Sequence, residues 1–361
     1  VALRVIALIP HPIASASGRY RVYQMAPALE RHGVTLDIRP FLDEPALARL
    51  YRPGHRAAKA LDLARGATRR WRDFGSARDY ALALVHREAW PLIGFDPARR
   101  LERQGTRWVF DFDDAVFLPN VSAANRAFVG LKPFGQPARL AAAAAGISAG
   151  NAWLADWARG LRRGVRGDPV EVIPTAVDTE TWKPRPRDAG PPRLVWIGSA
   201  STAPYLEPLR PAFTRLARAH PGLELHVIGA DFAADGIRVI VHPWSVETEA
   251  ELASRCDIGI SPLPDDDWSR GKCGLKLLLY MALGLAAVAS PVGVHREMIE
   301  HGKNGMLADD ADAFADAVDA LLADPSRRCA QGRAARETVV ARYSIDAVAP
   351  RLASLLERAA A

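Results

Sequence analysis

Ten short apolar runs, arranged as two series of five, constrain this chain more than any other feature. The first series is RVIALIP (4–10), TLDIRPF (35–41), ALALVH (81–86), RWVFDFD (107–113) and GISAG (146–150). The second is RLVWIGS (193–199), LELHVIG (223–229), IRVIVHPW (237–244), DIGISPL (257–263) and AAVASPV (286–292). Several are continuously apolar rather than alternating, which is how strands read when a parallel sheet is covered on both faces. Helical patterns lie between them. In VYQMAPALERHG (22–33), Val22, Met25 and Leu29 form a stripe and Gly33 a C-cap. Strand and helix alternating in two blocks predict an α/β chain of two Rossmann-like, doubly wound domains.

The blocks part at DTETWKPRPRDAGPPR (178–193), rich in Pro and charge and without apolar periodicity. The predicted domains are residues 1–180 and 181–343, with an amphipathic terminal helix over 344–361 that Pro350 kinks. Two such domains create a cleft between the carboxyl ends of their sheets, where ligands of this fold class bind.

A net charge of +6 over 361 residues favours anionic partners. Cys256, Cys273 and Cys329 are widely spaced and odd in number, so neither a disulfide framework nor a metal-ligand spacing follows. No cofactor or metal is expected. No run approaches the ~18 apolar residues of a membrane span. The N-terminal VALRVIALIP lacks a basic leader and a cleavage site, so a cytoplasmic protein is expected.

Residues 47–78 stand apart, with nine Arg or Lys against two Asp and Leu, Tyr, Trp and Phe interleaved. A solvated helical insertion and a basic surface for anionic lipid both fit, the latter at the inner face of a membrane. Nucleic acid is not expected, because no recognition fold or zinc spacing accompanies the charge.

The stretch WSRGKCGLKLLLYMALGLAAVASPVG (268–293) carries Arg270, Lys272 and Lys276 around a helix start near Cys273. A helix N-terminus is already partially positive, so cations stacked there make sense if an anion binds. Gly271 and Gly274 allow close backbone approach, and Lys272 and Lys276, four apart, share one edge of a helix. A diphosphate cradle is one reading; a surface helix with snorkelling lysines is the other.

This stretch and its continuation, GKCGLKLLLYMALGLAAVASPVGVHREMIEHGKNGMLADD, resemble the donor-binding half of retaining, GT-B-type glycosyltransferases of family four. The resemblance rests on Gly274 with Leu275, YMALG (280–284), ASPVG (289–293) and the hairpin-like NGML (304–307). VEVIPTAVDTETWKP (170–184) resembles that family's interdomain strand, and RYSIDAVAPRL its terminal helix, which crosses back to the first domain. SGRYRVYQMAPALERHG and RWVFDFDDAVF resemble a sugar-transferring subgroup. The family's two glutamates, with seven residues between them, fall on Gly271 and Leu279 here. Neither carboxylate is present, and Tyr280 is a candidate to supply a hydroxyl instead.

The resemblance implies transfer of a sugar from a nucleotide-diphosphate sugar to an acceptor hydroxyl, an acceptor sugar or lipid-linked glycan, with retention. Gly198, Ser199, Ser201 and Thr202, in the loop before a helix at Ala203-Pro204, are candidate donor-binding residues, although capping explains Thr202 equally well. Trp244 is a candidate for the base or a core residue. Asp111, Asp113 and Asp114 cluster at a strand's carboxyl end, Asp113 being the candidate that positions a reacting sugar and the others acceptor contacts. Arg19, Arg21, His86 and Glu88 are further acceptor candidates. Lys272, Lys276 and Arg270 would stabilise the leaving diphosphate, and closure about the 178–193 segment would exclude water. The rival reading is a nucleotide-sugar-binding protein of the same fold without turnover; a sugar epimerase or a phosphorylase is a third.

Overall fold

The computed structural model describes residues 2–50, 52, 54–119, 133–162, 170–187 and 190–361. Tyr51 and Pro53 of the basic segment, and residues 188 and 189 of the Pro-rich segment, lie outside them. The chain divides into two compact units. One comprises residues 1–176, 271–273 and 345–361, and the other 177–270 and 274–344.

The first unit holds a parallel sheet of β1 (Leu3–Ile9), β2 (Val34–Pro40), β3 (Leu82–His86), β4 (Trp108–Phe112), β5 (Gly146–Ala149) and β6 (Val170–Val172). Their order is β2-β1-β3-β4-β5-β6. β3 and β4 are buried at every position, as their unbroken apolar runs require. One core joins Val5, Ala7 and Ile9 of β1 to Val348, Leu352, Leu355 and Leu356 of the terminal helix Ile345–Ala360. That helix passes through Pro350 rather than ending there. The expected helix over 22–33 is divided instead: a π-helical turn at Arg19–Tyr23 precedes Ala26–Arg31, with Pro27 in its first turn, where a missing N–H costs nothing.

The second unit repeats the plan with β7 (Arg193–Ile197), β8 (Glu224–Ile228), β9 (Arg238–His242), β10 (Ile258–Ser261), β11 (Ala286–Ala289) and β12 (Met306–Leu307). The order is β12-β11-β10-β7-β8-β9, all parallel. NGML therefore ends in a short parallel edge strand, not a hairpin. Trp196, Val227, Ile260, Val288, Phe314 and Leu321 centre its core. The helix Pro325–Arg342 seats tightly, since a Cβ on its Gly332 would stand 2.0 Å from the Gly284 carbonyl oxygen.

In each sheet the strand order reverses once, between β1 and β3 and between β7 and β10. Loops leaving the carboxyl ends of strands on either side of such a reversal diverge and open a crevice, the general ligand site of open α/β sheets. The candidate site residues described next gather around these two switch points.

Candidate functional site

At the switch point of the second unit, β7 ends and the chain turns through Gly198–Thr202. Backbones crowd here. A Cβ on Gly198 would meet the Trp196 ring at 2.2 Å, and one on Gly229, at φ +93°, would meet the Gly198 oxygen at 2.4 Å and the Trp244 Cβ at 3.1 Å. Only glycines let the β7 and β8 ends approach in this way. Thr202 does not cap a helix. Its Oγ1 instead accepts from the Ser199 N–H (3.2 Å), closing the loop on itself, and the following turn, Ala203–Leu209, is 3-10. Ser199 and Ser201 are exposed, with their hydroxyls 2.9 Å apart. Lys276 Nζ donates to Thr202 Oγ1 (3.3 Å) and stands 4.3 Å from the Trp196 ring centroid. Trp244 is 37% exposed, its Nε1–H held by Glu249 (2.6 Å).

The helix carrying Lys276 is Leu275–Ala282, begun by Gly274 at φ +66°. It starts two residues later than Cys273, so Lys272 is not helical and does not share an edge with Lys276. Arg270 closes the short helix Asp267–Arg270, paired with Asp265 (2.8 Å) and Asp267 (3.4 Å). Lys272 belongs to the first unit, 3.9 Å from Asp114. Lys276 is the cation brought to the Gly198–Thr202 loop by a hydrogen bond to Thr202. Leu275 is half-buried beside it. Tyr280 is one turn further on and fully buried; its hydroxyl accepts the Ile197 N–H (2.8 Å), and burial, only partly offset by that bond, pushes its ionisation well up. It is a core residue and offers no hydroxyl to a ligand. At the two glutamate positions, Leu279 is 2% exposed and a Cβ on Gly271 would reach the Ala115 Cβ at 2.8 Å.

At the switch point of the first unit, the short helix Ala16–Gly18 after β1 supplies Ser17, β3 ends in His86 with Arg87 following, and β4 runs out into Asp113 and Asp114. Ser17 Oγ donates to Asp113 Oδ1 (2.8 Å) and lies 2.8 Å from His86 Nε2. His86 Nδ1 is 2.6 Å from Asp111 Oδ2. Arg21 pairs with Asp111 and donates to Ser148 Oγ (2.9 Å) and the Ile173 carbonyl. Arg87, at φ +56°, donates to Asp113 (2.7 Å) and Asp114 (2.6 Å). Burial alone would raise the Asp113 carboxyl, but Arg87 and His86 outweigh it and hold it down at about 2. Burial likewise works against Asp111, and Arg21 and His86 override it and keep it ionised.

Several acceptor candidates are corrected by this geometry. His86 and Asp111 are 0% and 2% exposed and bonded to each other, so they support the site from beneath. Arg21 is consumed by Asp111, and Arg19 is buried with its guanidinium 4.9 Å from the Tyr20 ring centre; neither presents a phosphate fork. Asp114 is engaged by Arg87. Asp113 keeps some exposure, 12% of its side chain. Ser17 and Arg87 escaped the sequence reading, though both stand at the end of a strand or in the loop after one.

Residues 191–324 match the profile of the glycosyl transferases group 1. Among curated proteins, the chain is similar to a GDP-mannose-dependent alpha-(1-6)-phosphatidylinositol monomannoside mannosyltransferase of Mycobacterium tuberculosis, 27% identical over 213 residues, 52% of this chain and 55% of that one. It is also similar to a glycogen synthase of the same organism, 27% identical over 198 residues, 50% and 46% of the two chains. The chain thus spans about half the length of the curated relatives it matches. Among solved structures, Anabaena HepE in complex with UDP superposes with a TM-score of 0.67 at 15% identity, covering 98% of this chain and 100% of that one. A sucrose-phosphate synthase from Thermosynechococcus elongatus gives 0.69 at 18%, covering 98% of each. The fold is the GT-B architecture of these enzymes, and residues 191–324 match the family of group 1 glycosyl transferases.

Proposed function

We propose that this chain transfers a sugar from a nucleotide-diphosphate sugar to an acceptor hydroxyl, retaining the anomeric configuration. The donor binds the second unit at the β7–β10 switch point. The observation that carries the reading is the Lys276 ammonium held at the Gly198–Thr202 loop, beside the N-terminus of its own helix. As the glycosidic bond breaks, charge gathers on the departing diphosphate. Lys276, the Ser199 and Ser201 hydroxyls and the N–H groups after Gly274 are the pre-placed donors that stabilise it; removing one such donor costs about 3–4 kcal/mol. Trp244 borders the same crevice and offers a face to the base.

The first unit takes the acceptor at Asp113. The exposed Leu61 and Trp71 on the basic helix Arg56–Ser76 support an acceptor presented at an anionic membrane, on the cytoplasmic face. No helix among the described residues is long and apolar enough to cross a membrane.

A second reading is favoured by Gly271 and Leu279. Both stand where a carboxylate would not fit without rearrangement, so ribose recognition of the family kind is missing. A nucleotide-sugar binder without turnover would have this pattern. Thermal shifts with UDP, GDP, ADP and TDP test the donor site: one nucleotide stabilises the wild type and not Lys276→Ala. A ligand at 100 times its Kd adds ~2.7 kcal/mol. Sugar transfer with the matching nucleotide sugar separates the readings; binding without transfer favours the second, and no binding removes both.

A further inference from the structure

On one flank of the Gly198–Thr202 loop, the surface of the second unit sinks into a hollow of about 560 Å³. It lies between the turn Ala203–Leu209, the loop after β8 and the edge strand β9. Its walls are largely apolar: Ala200 from the loop itself, Ala203, Phe232, Ala233 and Val241. Val241 is 44% exposed there. Phe232 is braced by the Phe213 ring, 6.2 Å away between centroids, and by the Arg210 guanidinium 5.1 Å from its ring centre, so this wall is set before a ligand arrives.

Three charged side chains reach the hollow: Glu207, Arg210 and Asp231. Two of them are spent on each other. Arg210 donates to Glu207 (3.0 Å) and to the Ala233 carbonyl (2.7 Å). Asp231 is exposed and, among the described residues, makes no hydrogen bond or ion pair. The hollow is therefore an apolar space with one uncommitted carboxylate. Its neighbour is the donor loop, since Ala200 stands between Ser199 and Ser201, and Thr202 holds Lys276. A carboxylate beside a site for a diphosphate repels every nucleotide unless something else on that nucleotide answers it.

A carboxylate can only accept hydrogen bonds, and it can accept two side by side. Among the bases, guanine alone offers two adjacent donors, N1–H and N2–H. Uracil and thymine offer one N3–H between two carbonyl oxygens. Adenine and cytosine offer an amino group beside a ring nitrogen lone pair. In those four, the second carboxylate oxygen faces a lone pair.

We propose that Asp231 reads the base of the donor, and that the donor is a guanosine diphosphate sugar. The inference rests on the reading above that a nucleotide-diphosphate sugar binds the second unit at the Gly198–Thr202 loop; it adds the identity of the base. The two Asp231 oxygens accept N1–H and N2–H, and the ring covers the apolar wall. Glu207, held by Arg210, takes no part. A bidentate contact of this kind discriminates between bases roughly 10–100-fold.

The test is calorimetric titration of the full chain with GDP, inosine diphosphate, ADP and UDP at one salt concentration. Inosine diphosphate keeps N1–H and lacks the amino group, so it isolates one of the two hydrogen bonds. Wild type is expected to bind GDP ~10-fold or more tighter than ADP or UDP, with inosine diphosphate between them. Asp231→Asn turns one acceptor into a donor. It should weaken GDP ~10-fold or more and bring GDP and inosine diphosphate together, while UDP, whose N3–H and O4 match a carboxamide, is not weakened. Asp231 is exposed, and melting curves check that the variant folds. Lys276→Met acts on the diphosphate and should weaken all four nucleotides by a similar factor.

Tighter binding of UDP or ADP than of GDP by wild type overturns the proposal, and so does a GDP affinity unchanged in Asp231→Asn. Binding that still depends on Lys276 in either case leaves the donor site standing. If none of the four nucleotides binds, the donor site itself has failed, and the reading of its base falls with it.

Discussion

The Lys276 ammonium sits 4.3 Å from the centre of the fully buried Trp196 ring, at the second position of the helix Leu275–Ala282. A lysine seated on a ring and donating to Thr202 has its stem ordered before any ligand arrives, so less entropy is lost on binding. The arrangement separates packing from charge. Lys276→Met keeps the stem over Trp196 and removes the ammonium. The variant is expected to melt within a few degrees of wild type without ligand and to lose about 1.5–3 kcal/mol of nucleotide-induced stabilisation, the worth of a hydrogen bond to a charged group. Equal stabilisation of both proteins by the nucleotide would remove Lys276 from the donor site.

Arg87 is a bulky residue at φ +56°, and its guanidinium bridges Asp113 and Asp114. The left-handed backbone costs a non-glycine residue about 1–2 kcal/mol, so the ion pairs hold a strained residue in place. Arg87→Gly and Arg87→Ala lose the same pairs, but only alanine keeps the strain. Both are expected to be less stable than wild type, with glycine the more stable of the two by about 1 kcal/mol in urea melts. A glycine variant no more stable than the alanine one would show that the conformation costs nothing here.

All ten apolar runs became strands. Most do so because a parallel sheet buried on both faces leaves no room for polar alternation, while β2 and β9 lie at sheet edges and are partly exposed; that signal is local. The pairing of His86 with Asp111, and of His86 with Ser17, was not legible, because residues 25 and 69 positions apart meet only once the strand order is set. Tyr280 shows the opposite error. Tyr280 does share a helix face with Lys276, as both side chains reach β7, Lys276 at Trp196 and Tyr280 at Ile197. The depth of that face was invisible: one turn takes it from the crevice into a helix buried at every position from Leu277 to Ala282. Lys272 escaped for a simpler reason, the αL turn at Gly274 that delays the helix start.

Charge counting also misjudged part of the basic segment. Arg70, on the helix Arg56–Ser76, is fully buried; it donates to the carbonyls of Ile9, Arg39 and Ala89 and pairs with Asp73 (3.3 Å). It staples the helix to the ends of β1 and β2. Arg70→Ala leaves three carbonyls and a buried carboxylate uncompensated and is expected to cost about 3–5 kcal/mol, enough to unfold a marginal domain. Arg72→Ala, two residues on and exposed, is the control and is expected to stay within ~0.5 kcal/mol. Similar melting of the two variants would return Arg70 to the solvated face.

His295 sets an acid limit on the second unit. Burial, with Lys276 nearby, drives its imidazole down to about 4, against a partial opposing effect from the Ser290 carbonyl, which accepts its Nδ1–H at 2.9 Å. A histidine with a depressed folded value binds its proton more readily in the unfolded chain. Its contribution is therefore complete above about 6.5 and is lost as pH falls from there to about 4, where the folded ring also charges. The loss amounts to roughly 3 kcal/mol. Asp113, held at about 2, contributes a separate loss in the first unit only below the ordinary carboxylate range. His295→Asn retains a donor for the Ser290 carbonyl and has no proton to gain. Urea melts at successive pH values should show wild-type stability of the second unit falling through the window from about 6.5 to 4 while the asparagine variant falls less, by up to ~3 kcal/mol. Parallel curves would mean that the ring is hydrated or paired once charged.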